Sequence, residues 1–146
     1  MITGSCLCGA VAFEIDGGLS PLQYCHATRC RKASGSAFAA ELAANTSAFR
    51  WIRGRDLLTE YEAPLLREPP PYRRAFCRVC GSPMPIPLQG TDFVVVQAGV
   101  LDGNAEPRPF RHIFVSQAPR WHTITDTLPR FEERPPAGER LPRTID

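Results

Sequence analysis

Long apolar runs are missing from this sequence. None reaches the roughly 18–20 residues that a membrane-crossing helix needs, so no membrane partner is expected. Strong charge of either sign is missing too. A net charge of +2, with no basic stripe interleaved with aromatics, argues against a zinc-ribbon-like nucleic-acid binder. The opening "MITGSCLCGAVAFEI" lacks the basic start and apolar block of a secretory leader, so the expected compartment is the cytoplasm, where thiols are kept reduced. Helix signals are weak, because 15 Pro and 11 Gly punctuate nearly every gap. No internal repeat and no linker divides the 146 residues, a length that suits one domain with a real core.

What remains reads as short strands. Over 10–15, "AVAFEI" sets Val11, Phe13 and Ile15 on one face and small or polar residues on the other, as a half-buried strand does. Residues 36–43 and 48–54 form two further strands around the Asn45-Thr46 turn, with helical character left open at 37–43 because Ala, Glu and Leu favour it. Residues 57–63 alternate again, 72–77 lead into the last cysteines, 92–101 suit a buried central strand, and 111–116 form another. Residues 63–71 read as an extended loop. Residues 1–131 are expected to form the domain and 132–146 a Pro-rich tail. The class is mainly β, with short antiparallel strands.

Six cysteines fall into three pairs: Cys6 and Cys8, Cys25 and Cys30, Cys77 and Cys80. In a reducing compartment such pairs point to metal or catalysis rather than disulfides. "CRVCG" at 77–81 is a knuckle in which both sulfurs share a side and Gly81 supplies a positive φ. On an extended segment Cys6 and Cys8 also share a face. Together the four thiolates make the closed shell of a structural zinc. A redox role for Cys77 and Cys80 expects a helix next, where Pro83 and Pro85 stand instead. Cys25 and Cys30 alone are too few for a stable metal site. "RCRK" at 29–32 and "YRRAFCR" at 72–78 put six cations beside cysteines; they are either solvated faces or partners of thiolate or anion charge.

Four stretches, "GSCLCGAVAFEI", "YCHATRCRKASGSAFAA", "FCRVCGSP" and "PRPFRHIFVSQAPRW", resemble the glutathione-dependent formaldehyde-activating enzyme family, related to centromere protein V. The resemblance runs to about Phe131 and implies an Mss4-like β fold built around zinc. It assigns a structural zinc to Cys6, Cys8, Cys77 and Cys80. It also implies a second, catalytic zinc on a C-x-C-x-x-C loop, whose first and last cysteines match Cys25 and Cys30. Ala27 stands where the middle cysteine belongs. The family reaction joins glutathione to formaldehyde as S-hydroxymethylglutathione, a carbon–sulfur lyase chemistry with Cys25 and Cys30 at its centre.

With one thiolate lost, His26, His112 or an incoming substrate thiol are the candidate replacements; an empty site and a reversible Cys25–Cys30 disulfide are the alternatives. Arg29, Arg31 and Lys32 should lower the pKa of both thiols. Arg31 and Lys32 are the expected clamps for the carboxylates of glutathione, with hydrogen bonds from Ser34, Gly35 and Ser36, although "ASGSA" also suits a plain turn. Phe38, Trp51 and Trp121 suit either core or pocket wall, and His122 the surface. The competing assignment is a non-catalytic zinc-stabilised module that binds a thiol or a protein.

Overall fold

The structure is a computed structural model that describes residues 1–66, 70–103, 105 and 107–139. Parts of the expected loop (67–69) and tail (140–146) lie outside the described residues. Among the described residues eleven strands form three sheets, accompanied by a single α-helix. β1 (Ile2–Ser5), β2 (Ala12–Ile15) and β5 (Phe49–Arg53) form the first, and β6 (Leu58–Glu62), β7 (Arg73–Cys77) and β8 (Pro83–Met84) the second. The largest runs β11-β3-β4-β10-β9, with β3 at Leu22–Cys25, β4 at Ala39–Asn45, β9 at Ile86–Pro87, β10 at Phe93–Gln97 and β11 at Pro109–Ile113. The mainly-β class is as expected.

Several details depart from the sequence reading. The strand expected at 111–116 ends at Ile113, with a 3-10 turn at Val115–Gln117. β11 pairs with β3 in parallel, so the sheets are not purely antiparallel. The strand expected at 92–101 ends at Gln97 and closes in a 3-10 turn, and β4 rather than β10 holds the centre of its sheet. β2 is buried on both faces: Glu14 is 8% exposed and pairs with Arg50 of β5. An α-helix, α1 (Thr28–Ser34), occupies part of the cysteine stretch. It has seven residues and no side-chain N-cap, and Cys30 is its buried residue; packing of that face, not propensity, holds it. Gly35 ends it in the left-handed conformation, its N–H bonded to the Arg31 carbonyl at 2.8 Å.

Alternation along the large sheet separates two environments. On one face Leu42, Ala44, Val94 and Val96 join Phe13, Ile15 and Met84 in the main core. On the other, cross-strand neighbours Gln23, Glu41 and Gln97 lie in one row, with Cys25 beside Ala39 and Ile113, and these residues form the floor of a cavity.

Candidate metal and thiol site

Cys6-Leu7-Cys8 sits in a turn, not on the extended segment expected. The Gly9 N–H reaches the Cys6 carbonyl at 2.8 Å, as the Gly81 N–H reaches that of Cys77 at 2.8 Å. Both loops close alike: Cys6 N–H donates to the Val11 carbonyl and Cys77 N–H to that of Ser82, each at 3.0 Å. Gly81 adopts the expected positive φ, 75°. Leu7 N–H donates to Ser82 Oγ at 3.0 Å and ties the loops together.

The four sulfurs lie within 4.8 Å of one another. Cys6–Cys8 and Cys8–Cys77 separations of 3.5 and 3.9 Å bracket the edge of roughly 3.8 Å that Zn–S bonds of about 2.3 Å give a tetrahedron. Val11 N–H points at Cys6 Sγ from 3.2 Å. Hydrogen bonds with Ser82 hold the Cys80 thiol down, to about 5. The donor set and spacing can hold a metal ion. Ser82, which serves both loops, had no signal in the sequence beyond following "CRVCG".

The second cysteine pair lies on the floor of a cavity of about 690 Å³. Cys25 ends β3, Cys30 reaches down from α1, and their sulfurs are 2.9 Å apart. Both cysteines are free, and that separation exceeds the roughly 2.05 Å of a disulfide. Ala27 is 3% exposed, packed with them, Ala39 and Ile113. The third polar group present is Glu41, which the sequence reading missed: its Oε1 lies 3.6 Å from Cys30 Sγ, and Cys25, Cys30 and Glu41 form a group whose ligand atoms lie within 4.8 Å of one another. A lone acid among the alanines of "AFAAELAAN" was the available signal; its face depended on register.

The charge environment differs from the expected one. The Cys30 thiol is pushed up, first by its hydrogen bond with Cys25, then by burial and Glu41, while Arg29 pulls weakly the other way. Burial likewise raises the Glu41 carboxyl, against hydrogen bonds from Gln97, Cys30 and Gln23. Arg31 and Lys32 do not line the cavity; Arg29, Arg74 and Arg134 do, and so does Ser34. Ser34 Oγ donates within its own helix, to the Cys30 carbonyl at 2.9 Å. Arg29 stands over the Tyr72 ring at 5.1 Å, and the buried Arg74 Nε has no hydrogen-bond partner. Neither Arg29 nor Arg74 forms an ion pair among the described residues. Phe38, Trp51 and Trp121 are absent from the lining; Tyr72, Phe93 and Phe114 supply the aromatic walls.

The histidines belong elsewhere. One residue after Cys25 the chain presents its other face, and His26 Nε2 meets His112 Nδ1 at 2.9 Å; His112 Nε2 reaches Asp126 at 3.0 Å. Burial, then His112 and His122, hold His26 down at about 4, so it is neutral at pH 7. His122 stacks on His26 with ring centroids 6.1 Å apart. Neither His26 nor His112 belongs to the group formed by Cys25, Cys30 and Glu41.

No helix among the described residues is long and apolar enough to cross a membrane. No curated protein matches the chain. Among solved structures, the crystal structure of a Rhodobacter sphaeroides protein is similar, with 25% sequence identity and a TM-score of 0.54, covering 73% of this chain and 97% of that one. Residues 1–117 match the family described as Glutathione-dependent formaldehyde-activating enzyme. A match over most of the chain, with both cysteine knuckles and the Cys25 loop inside it, shows that this protein belongs to that family.

Proposed function

We propose that the cavity above Cys25 and Cys30 joins a glutathione-type thiol to formaldehyde or a related small aldehyde, a carbon–sulfur lyase chemistry. The observation that supports it is the close thiol pair on the floor of a 690 Å³ cavity bordered by several arginines, of which Arg29 and Arg74 form no ion pair among the described residues. Zinc on Cys6, Cys8, Cys77 and Cys80 is structural in this reading, since four thiolates leave no open position. A zinc held at Cys25 and Cys30 would lower the pKa of an incoming thiol and polarise the aldehyde oxygen.

The chain's own residues bind and orient. In this reading Arg29, Arg74 and Arg134, which line the cavity, take the substrate carboxylates. Arg31 and Lys32, on the helix outside the lining, contribute long-range attraction, and Ser34 closes the rim. Tyr72, kept protonated by burial, offers a hydroxyl to the aldehyde oxygen. The substrate sulfur forms a bond to the aldehyde carbon, the carbonyl π pair moves to oxygen, and the proton given up by the thiol ends there. The test is glutathione-dependent consumption of ¹³C-formaldehyde followed by NMR in zinc-replete protein. Catalysed adduct formation that disappears in Cys25→Ser is expected.

Ala27 favours a second reading, a non-catalytic zinc-stabilised module of the same fold that binds a thiol or a protein. Glutathione binding by calorimetry, without turnover of any small aldehyde, would establish that reading and overturn the first.

A further inference from the structure

We propose that Glu41 completes a second metal site with Cys25 and Cys30, supplying from β4 the third ligand that Ala27 cannot. The inference deepens the reading above and rests on it only for the identity of the incoming thiol.

The first argument is charge. A half-buried carboxylate 3.6 Å from a thiol that itself touches a second thiol is costly once any of the three ionises. Arg29 offsets part of that charge from across the cavity, but among the described residues Glu41 forms no ion pair. A divalent cation between the three groups would balance that charge at its source. The second argument is the donor set. Zinc accepts sulfur and carboxylate oxygen together, and three protein ligands are the number that leaves a position for substrate. Cys25, Cys30 and Glu41 all line the cavity, so that position would open into it.

Support around the carboxylate is the third argument. Gln23 and Gln97 are the cross-strand partners of Glu41 on its two sides, and both hydrogen-bond it. Gln23 is held in turn by Arg111, whose Nε and Nη2 donate to Gln23 Oε1 at 3.1 and 2.8 Å. Ligating carboxylates are ordinarily held this way. The histidines cannot compete, since they project from the opposite face of the sheet and bond one another.

Seating an ion requires the two sulfurs to part by roughly 0.9 Å, from the present contact to the edge of a zinc tetrahedron. Cys30 rides on a helix of seven residues with no side-chain cap, the element best able to give that movement.

The test is metal stoichiometry of the full chain, stripped and titrated with zinc, read by native mass spectrometry, with cobalt(II) absorption at the second site as a ligand-sensitive probe. Wild type should hold two ions. Glu41→Gln should hold one, its second-site affinity reduced at least about 100-fold, with an unchanged circular dichroism spectrum. Adding Ala27→Cys to Glu41→Gln should restore two ions and intensify the thiolate-to-cobalt bands. One ion in wild type at saturating zinc, or two in Glu41→Gln at unchanged affinity, overturns the proposal. Two ions without aldehyde turnover would leave the metal site standing and remove the enzymatic reading. Turnover with a single ion would remove the metal site and leave that reading.

Discussion

Ser82 carries more than its position suggests. Its hydroxyl accepts the Leu7 N–H at 3.0 Å, lies 3.3 Å from Cys80 Sγ, and is the first cause of the lowered Cys80 thiol. It acts through the cysteines, orienting one knuckle against the other. Partners of this kind commonly cost 10–100-fold in metal affinity when removed. Ser82→Ala should therefore weaken zinc at the four-cysteine site about 10-fold, measured by competition with a chromophoric chelator. Ser82→Thr, which keeps the hydroxyl, should recover most of the loss, whereas equal effects of both variants would show that packing alone is at stake. Ala27 is the opposite case, legible in the sequence at once because an incomplete ligand loop is a local pattern. Glu41, 14 positions beyond Ala27 in the sequence, was not legible, because its proximity to Cys30 arises from the pairing of β3 with β4 and from the descent of α1. Ser82 and Glu41 were missed for one reason: each meets its partners across a register or a turn that spacing alone does not specify.

At the scale of elements, β4 divides the molecule. Leu42, 2% exposed, faces the main core, while its neighbour Glu41 faces the cavity. Ala, Glu and Leu favour a helix in this stretch, yet it is a strand because β3 and β10 supply hydrogen-bonding ladders on both sides. That is tertiary context overriding a weak propensity. β10, rich in β-branched residues, was legible from its sequence, and α1 was not, since nothing caps it and packing holds it. Adjacent positions on β4 should therefore fail differently. Leu42→Ala removes buried methyl groups and leaves a cavity, at a cost of about 2–5 kcal/mol, seen as a lower urea midpoint with an unchanged slope. Glu41→Gln keeps the volume and, in protein whose only zinc is on the four cysteines, should cost less than Leu42→Ala, on the order of 1 kcal/mol for the altered hydrogen bonds. A Leu42→Ala midpoint equal to wild type would mean that the core relaxes to fill the space.

Across the whole molecule, the four-cysteine cluster stands between sheets too small to be self-sufficient. Cys6 and Cys8 follow β1 of the first three-stranded sheet, while Cys77 ends β7 of the second and Cys80 follows it, with Cys8 and Cys77 separated by 69 positions. A metal ion there would close a long loop and fix two edges whose own ladders are only a few residues long. Closing such a loop once costs only a slowly growing entropy, whereas structural zinc can supply about 10–16 kcal/mol of binding energy at pH 7. That range matches or exceeds the 5–15 kcal/mol net stability of an ordinary domain. Stripping the metal should therefore unfold the first and second sheets, seen as loss of the thermal transition after treatment with a strong chelator and its return when zinc is added back. Cys77→Ser should behave as the chelated protein does at any zinc concentration, because a missing sulfur cannot be titrated back. If the chelated protein instead melted at the wild-type temperature, the hydrophobic contacts of Phe13, Ile15 and Met84 would suffice without metal, and the cysteine cluster would have to be assigned to something other than folding.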